Sequence, residues 1–269
     1  AAPVIWDRDI VKGKGTAQAV VVNSGIANAC TGEQGLGYCR ETAETAAELL
    51  KINADDVLVG STGVIGMQLR MDKLKEGVKA LSGKLSPSLE AGNEAARAIM
   101  TTDTHPKEVA VSVEIGGKTV TVGGMSKGSG MIHPNMATML VFLTSDVSIS
   151  PDMLQIALSG DIRNTFNMIS IDGDTSTNDM VVVLANGMAE NPAITGCGEA
   201  FDIFMKALKT VNVFLSRNIA SDGEGATKLL ECIVSGAADD QTAKIVAKSV
   251  ICSSLTKAAM FGEDANWGR

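Results

Sequence analysis

The feature that most constrains this chain is a glycine-rich polar loop, residues 127–138, that runs directly into the apolar residues 139–143. An apolar run of this length predicts a buried β-strand. Thr138 stands at the junction, behind the small residue Ala137. A cut between these two residues would free the amine of Thr138, which could act as general base for the hydroxyl of the same residue. The pattern is typical of a self-cleaving precursor, and it also fits a threonine that simply begins a strand.

The rest of the chain alternates strand-like and helical blocks, which predicts an α/β fold of the layered α+β kind. Residues 109–115 alternate apolar and polar side chains, and the alternation resumes after the glycines at 116–117, which predicts a β-hairpin. Ser150 and Pro151 supply the N-cap and first position of a helix, on which Asp161 is expected to be exposed. The chain itself begins in what looks like a strand. Further strands are predicted at residues 17–22, 56–59, 138–143, 180–185 and 228–234, and further helices at residues 41–51, 71–81, 88–100, 201–215 and 242–250.

Composition narrows the class of protein. The net charge is −8 with no basic block, so neither nucleic acid nor an anionic membrane surface is expected as a partner. No stretch reaches the roughly 18 apolar residues of a membrane-spanning helix, and no signal peptide is recognisable. The five cysteines are scattered without a Cys-x-x-Cys pair, which predicts reduced, mostly buried thiols in a cytoplasmic protein.

Three further polar segments could carry chemistry. Thr62 and Gly63 follow a predicted strand, where a turn can direct backbone N–H groups and a hydroxyl at a developing oxyanion. An ordinary strand-to-loop turn has the same composition. Lys127 is a cation that could lower the pKa of a nearby amine. Glu224, between two glycines, could attract a substrate amine, and a solvated turn at the end of a helix is the alternative interpretation.

Several familiar kinds of site are not matched. Residues 123–130 are rich in glycine but lack the spacing of a P-loop. Residues 171–179 contain three acids but lack the glutamate that ends an EF-hand loop. The two histidines, His105 and His133, do not make a histidine-rich metal site or an evident Ser-His-Asp triad. We therefore expect no metal, and a self-sufficient nucleophile such as Thr138.

Seven segments together give the chain its clearest relationship. They are residues 22–32, 61–66, 100–104, 127–140, 172–179, 222–228 and 261–269. In sequence and in order, these segments resemble the ornithine acetyltransferases of arginine biosynthesis over essentially the whole chain. Members of that family have further sequence at both ends. We therefore expect this chain to be truncated at its C-terminus, where further substrate-binding residues would lie.

The resemblance implies an α/β/β/α sandwich of the kind found in self-cleaving acyltransferases with an N-terminal nucleophile. It also implies cleavage between Ala137 and Thr138, which gives an N-terminal fragment of residues 1–137 and a second fragment of residues 138–269. Thr138 would then take the acetyl group from N-acetylornithine and pass it to glutamate through an acyl-enzyme, in ping-pong order.

The same resemblance assigns roles to individual residues. Thr62 and Gly63 would form the oxyanion hole. The residues that would contact substrate are Thr101, Lys127, Thr138 and Glu224. These roles suit the chemistry, because a lysine such as Lys127 can pair with the α-carboxylate that both substrates carry. Glu224 could attract the amines of ornithine.

Partners and alternatives follow from the resemblance. No cofactor is implied, and acetyl-CoA is left open as a second acetyl donor that would make the enzyme bifunctional. The family precedent for assembly is a heterotetramer with two copies of each fragment. A self-cleaving amidohydrolase or aminopeptidase of the same fold would use water in place of glutamate. A non-catalytic module that binds small molecules would leave the chain uncut.

Overall fold

A computed structural model of the chain describes residues 1–133 and 139–268. The described residues form eight α-helices and six β-strands. In chain order these are α1 (Ala2–Gly13), β1 (Ala19–Asn23), α2 (Gly32–Leu50), β2 (Val57–Ser61), α3 (Met71–Ser82), α4 (Leu89–Ala98), β3 (Lys107–Ile115), β4 (Lys118–Lys127), β5 (Leu140–Ser145), α5 (Pro151–Ile162), β6 (Met180–Ala185), α6 (Glu199–Ser221), α7 (Asp240–Ile251) and α8 (Ser254–Phe261).

The strands form two sheets. β1 and β2 pair in parallel, with Ala19 opposite Val57. The second sheet has the order β3–β4–β5–β6, in which the first two pairings are antiparallel and β5 and β6 run parallel. The hairpin predicted around residues 116–117 is confirmed, because it joins β3 to β4.

The two sheets pack face to face, and the side chains of β5 show how. Leu140 and Phe142 are buried among apolar side chains of β1. Val141 and Leu143 point the other way, into the apolar core shared with α5 and α6. Successive residues of a strand face opposite sides of a sheet, so β5 serves both cores. With α1 and α2 outside the first sheet, the layers are helix, sheet, sheet, helix. The predicted α/β/β/α sandwich is confirmed.

The chain begins in a helix, so the strand expected at its start is wrong. Pro3 lies in the first turn of α1, where its fixed φ suits a helix. The helix then covers the free edge of β2. Trp6 Nε1 donates a hydrogen bond to the Val57 carbonyl (3.0 Å), and the Val59 N–H donates to Asp7 Oδ1 (2.8 Å). An unpaired strand edge needs such partners, and this tertiary demand determines the conformation of residues whose local preference is ambiguous.

Three other predictions are wrong, wholly or in part. Residues 228–234 are not a strand in the structure but run beside α6, where Arg217 and Glu231 form two hydrogen bonds (3.0 and 2.9 Å); a strand requires a ladder partner. Asp161 is only 3% exposed, because it accepts a hydrogen bond from Asn212 Nδ2 (2.7 Å) where α5 packs on α6. All five cysteines are free thiols as predicted, but only Cys39 is buried.

The remaining predicted strands and helices are confirmed as elements, although α2 begins earlier than predicted and α8 has no predicted counterpart. The N-cap predicted at Ser150 is also confirmed, since its side chain accepts from the Met153 N–H. Within residues 1–133 and 139–268, no helix is both long enough and apolar enough to cross a membrane.

Candidate active site

Lys127, the last residue of β4, lies at the centre of the candidate site. The residue is only 3% exposed. Its ammonium donates to the hydroxyl of Thr101 (2.8 Å) and, at longer range, to that of Thr62 (3.4 Å). Thr62 follows β2 directly, and Thr101 lies in the loop after α4. The fold therefore brings two other residues predicted from sequence, Thr62 and Thr101, within hydrogen-bonding distance of Lys127.

The surroundings of Lys127 hold the pKa of its ammonium below its ordinary value. Burial lowers the pKa of its ammonium, and the nearby Lys107 lowers it further, against the opposing effect of the carboxylates of Asp103, Asp179 and Glu224. Asp103 Oδ2 lies 4.0 Å from the ammonium nitrogen, beyond hydrogen-bonding distance. A ligand carboxylate placed against Lys127 would therefore stabilise a charge that the protein itself only partly stabilises.

Thr62 and Gly63 form the turn after β2. The Thr62 N–H is already used, since it donates to the Asn23 carbonyl (3.0 Å), whereas its hydroxyl faces Lys127. Gly63 has a φ of +128°, and a Cβ there would lie 2.2 Å from the carbonyl carbon of Gly25, so only glycine fits. Among the described residues, no acceptor takes the Gly63 N–H. The donors that this turn can offer an oxyanion are therefore the Thr62 hydroxyl and the Gly63 N–H.

Glu224 adds a solvent-exposed carboxylate after the end of α6. Its N–H donates to the Ser129 carbonyl (2.7 Å), and its Oε1 accepts from the Thr102 hydroxyl (2.7 Å). Gly130 leaves room for this carboxylate, because a Cβ at that position would lie 2.5 Å from Glu224 Oε1. The contacts orient a negative group that remains accessible to an amine of a ligand.

A buried ion cluster that sequence analysis missed supports these residues. The Lys107 ammonium, at the start of β3, donates to Asp103 Oδ1 (2.7 Å) and to Asp222 Oδ2 (2.5 Å). Asp103 also accepts from the N–H groups of Gly128 (2.7 Å) and Thr101 (3.1 Å). The cluster thus ties together the loop after α4, the end of β4 and the end of α6, which are the elements that carry Thr101, Lys127 and Glu224.

Both carboxyl groups of the cluster are ionised at neutral pH. Burial alone would raise the pKa of Asp103, but hydrogen bonds from the Gly128 N–H and the Lys107 ammonium outweigh it and hold the pKa below its ordinary value. Asp222 behaves in the same way: burial opposes ionisation, and hydrogen bonds from Lys107 and Thr104 lower the pKa more strongly. The cluster is therefore one cation between two anions.

One sequence signal could have revealed this cluster. Lys107 shares a face of β3 with Val109, Val111, Val113 and Ile115, because residues two apart in a strand face the same side. A lysine on the apolar face of an alternating strand requires a buried partner. Its partner Asp222 lies 115 residues away, and the pattern of β3 alone does not identify it.

Ala137 and Thr138 lie outside the described residues, so the nucleophile and the cleavage site remain predictions. The next residue, Met139, is described, and its N–H donates to Asp179 Oδ1 (2.8 Å). Burial raises the pKa of Asp179 to about 7, although the Met139 N–H and the Lys127 charge act to lower it. The residue after Thr138 is therefore held by a carboxyl group that lies within electrostatic range of Lys127.

A cavity of about 520 Å³ lies beside these residues rather than over Lys127. It is enclosed by the second half of α6, residues 224–232, α7 and α8, and most of its lining is apolar. Of the predicted site residues that the structure describes, Glu224 alone lines it. The hydrogen-bonded groups around Lys127, and not the cavity, therefore define the candidate site.

Comparisons with known proteins cover the whole chain. Residues 1–269 match the sequence model of the ArgJ family. Two curated relatives are each called arginine biosynthesis bifunctional protein ArgJ. The one from Caldanaerobacter subterraneus subsp. tengcongensis is 54% identical to this chain, and the one from Symbiobacterium thermophilum is 55% identical, each over 100% of this chain. The chain spans 66% of the length of each relative. A solved arginine biosynthesis bifunctional protein argJ from Bacillus halodurans is 45% identical, with a TM-score of 0.48, over 51% of this chain and 71% of that one.

Proposed function

Because this chain belongs to the ArgJ family, we propose that the protein transfers the acetyl group of N-acetylornithine to glutamate in arginine biosynthesis. The observation that carries the proposal is the buried Lys127, whose ammonium lies among the hydroxyls of Thr62 and Thr101. The names of the two relatives, arginine biosynthesis bifunctional protein ArgJ, support the same pathway. Activity, substrates and partners are proposed for the complete protein.

The proposed chemistry begins with self-cleavage: the Thr138 hydroxyl attacks the Ala137 carbonyl carbon, the carbon–nitrogen bond breaks to free the Thr138 amine, and water hydrolyses the resulting ester to restore the hydroxyl. The freed Thr138 amine then takes the proton of the Thr138 hydroxyl as its oxygen attacks the acetyl carbonyl carbon. The negative charge that develops on the carbonyl oxygen is met by the Thr62 hydroxyl and the Gly63 N–H. The carbon–nitrogen bond of N-acetylornithine breaks, and the Thr138 amine returns its proton to the departing nitrogen. Ornithine is released, and the acetyl group stays on Thr138 as an ester. The amine of glutamate then attacks that ester, and the carbon–oxygen bond to Thr138 breaks to give N-acetylglutamate. The proton lost by the glutamate amine passes through the Thr138 amine to restore the hydroxyl.

Charge complementarity supports the choice of substrates. Lys127 can pair with the α-carboxylate of either substrate, and its buried ammonium gains stability from such a partner. The exposed carboxylate of Glu224 can pair with the side-chain amine of ornithine. Thr101 links the two ends of the site, because it accepts from Lys127 while its neighbour Thr102 donates to Glu224.

The cut would leave two fragments, residues 1–137 and 138–269, that share one sheet. β4 ends the first fragment's part of that sheet and β5 begins the second, and these strands pair antiparallel. We propose an assembly with two copies of each fragment, in the cytoplasm, with small-molecule substrates and no bound cofactor. Acetyl-CoA is proposed as an additional acetyl donor, in keeping with the word bifunctional in the relatives' names.

The decisive variant is Thr138→Ala in the complete protein. We expect the wild type to run as two bands on a denaturing gel, with a new amino terminus at Thr138 by mass spectrometry. The variant should remain a single chain, and it should form no N-acetylglutamate from N-acetylornithine and glutamate, because it lacks the nucleophile.

The assay also separates the competing reactions. Release of free acetate without N-acetylglutamate would indicate amide hydrolysis, and product formed from acetyl-CoA and glutamate would establish the second donor. An uncut wild type without transfer, or a Thr138→Ala variant that retains transfer, would contradict the proposed function.

A further inference from the structure

The connection that leads into β6, residues 169–179, holds the chain on both sides of residues 134–138. Upstream it contacts Met131 and Ile132, and downstream it contacts Met139. The two contacts use different acidic side chains, Asp172 and Asp179. Asp172 therefore holds residues before the proposed cut, and Asp179 holds a residue after it.

On the downstream side, both backbone groups of Met139 are fixed. Its N–H donates to Asp179 Oδ1 (2.8 Å), and its carbonyl accepts from the Met180 N–H (3.1 Å). Backbone pairing of β5 with β6 begins one residue later, at Leu140, so the Asp179 side chain extends the ladder by one position. The Met139 nitrogen belongs to the planar peptide unit that joins it to Thr138. A hold on this nitrogen is therefore a hold on the chain immediately after the proposed nucleophile.

Asp179 has little other role among the described residues. It is only 4% exposed, and its second oxygen, Oδ2, has no hydrogen-bond partner there. The charged group that faces it is Lys127 at the end of β4. A buried carboxyl group with an unused oxygen costs free energy, and closing one strand end does not by itself account for that cost.

On the upstream side, Asp172 holds a strained stretch of backbone. Its Oδ2 accepts from the Met131 N–H (2.6 Å) and its Oδ1 from the Ile132 N–H (3.0 Å). Met131 has a φ of +54°, in the left-handed region that non-glycine residues seldom adopt. The Ile132 carbonyl accepts from the Ile171 N–H (2.6 Å). This side of the connection thus fixes the backbone that leads into the proposed scissile bond.

We propose that Asp179 is a positioning residue for the Thr138 hydroxyl, in self-cleavage and again in acetyl transfer. Asp172 then acts on self-cleavage, because after the cut the residues that it holds belong to the other fragment. This inference rests on the proposed function. In both reactions the same hydroxyl attacks a carbonyl carbon, and the rate of such an attack depends on how closely the reacting atoms are held in line.

The test compares four variants of the complete protein. Asp179→Ala removes the acceptor of the Met139 N–H, and Asp179→Asn keeps an oxygen acceptor without a charge. Asp172→Ala removes the upstream hold. Asp7→Asn is the matched control: Asp7 is 5% exposed, accepts one strand N–H, from Val59 (2.8 Å), and has an unpartnered Oδ2, but it belongs to α1, on the first sheet.

Two rates are measured for each variant: appearance of the fragments after a short pulse of cell-free synthesis, and acetyl transfer per cleaved molecule. For Asp179→Ala we expect both the cleavage rate and kcat to fall by about 100-fold, the typical effect of a misplacement of about 1 Å. KM for N-acetylornithine should stay within about twofold, because the substrate-binding charges are untouched. Asp179→Asn should restore most of both rates. Asp172→Ala should slow cleavage more than transfer.

The outcomes distinguish this inference from the function on which it rests. If the wild type is cut and active while Asp179→Ala matches it in both rates, the positioning role is wrong and the proposed function stands. If Asp179→Ala instead raises KM as much as it lowers kcat, or if Asp7→Asn produces the same loss, the effect is one of general stability and the inference fails. An uncut, inactive wild type contradicts the proposed function itself.

Discussion

At the scale of single residues, Gly130 is a position where one added carbon atom changes the site. Its Cβ would lie 2.5 Å from Glu224 Oε1, so Gly130→Ala should displace that carboxylate from Thr102. We expect KM for N-acetylornithine to rise roughly tenfold, which corresponds to about the free energy of one hydrogen bond to a charged group. The change in kcat should be much smaller. Steady-state kinetics measures both parameters.

The matched control is Gly77→Ala in α3, where a Cβ would meet nothing within 4 Å. This exchange should leave both parameters unchanged, since alanine also suits a helix better than glycine. An unchanged KM in Gly130→Ala would show that the position of Glu224 does not matter for substrate binding.

The residues of the site differ in how far the sequence alone could predict them. Thr62, Lys127 and Glu224 each lie next to a predicted strand or helix end in a polar, glycine-containing segment, and the structure brings them together. Their roles remain predictions. Lys107 and Asp179 could not be assigned in this way, because each is defined by a partner from another part of the chain, and local composition does not encode such contacts.

At the scale of elements, the packing of α1 on β2 makes stability depend on pH. Burial raises the pKa of Asp7 to about 7, although the Val59 N–H acts to lower it. Between its ordinary value of 3.8 and about 7, the folded protein holds a proton that the unfolded chain has lost. Its contribution to stability is therefore greatest below pH 4 and is lost as the pH rises to about 7.

Asp7→Asn should remove this contribution to the slope. Between pH 4 and 7 we expect the free energy of unfolding to fall in both proteins, but by about 2–4 kcal/mol less in the variant. Urea denaturation measures it, with both proteins in the uncleaved Thr138→Ala background. Asp179 has a similar shift and contributes equally to both proteins. Parallel slopes for the two proteins would contradict the assignment to Asp7.

The elements predicted best are those with an unbroken apolar sequence. β6 matches its predicted bounds because all six of its residues are apolar and the strand lies between two layers. The start of the chain and residues 228–234 were harder, since their conformation depends on whether a strand edge is available to them. α1 takes its place from the edge of β2, and residues 228–234 have no ladder partner among the described residues.

At the scale of the whole molecule, the buried cluster joins the two proposed fragments. Lys107 belongs to the first fragment and Asp222 to the second. Lys107→Met would leave two buried carboxylates without their cation. Breaking a buried ion pair in this way typically lowers the free energy of unfolding by about 3–5 kcal/mol. We expect the melting temperature of the cleaved protein to fall by at least several degrees, and size-exclusion chromatography to show separated fragments at dilution.

Lys118→Met, at the opposite end of β4, is the control for this prediction. Its pairing with Glu190 is long (3.7 Å), and both side chains are largely exposed, so its loss should change stability by less than about 1 kcal/mol. If the two variants melt alike, the cluster does not hold the fragments together. If Asp222→Asn added to Lys107→Met recovers part of the loss, the cost lies in the unpaired carboxylate.

The hold on Met139 also sets an order of events in time. Asp179 and Met180 are synthesised after Thr138, and they fix the Met139 backbone only once β6 has paired with β5. A nascent chain that ends before β6 lacks these contacts, so we expect the proposed cut to follow the assembly of the second sheet. The proposed self-cleavage would then serve as a folding checkpoint: an unfinished or misfolded chain would keep its peptide bond, and only a correctly folded one would acquire the proposed nucleophilic amine.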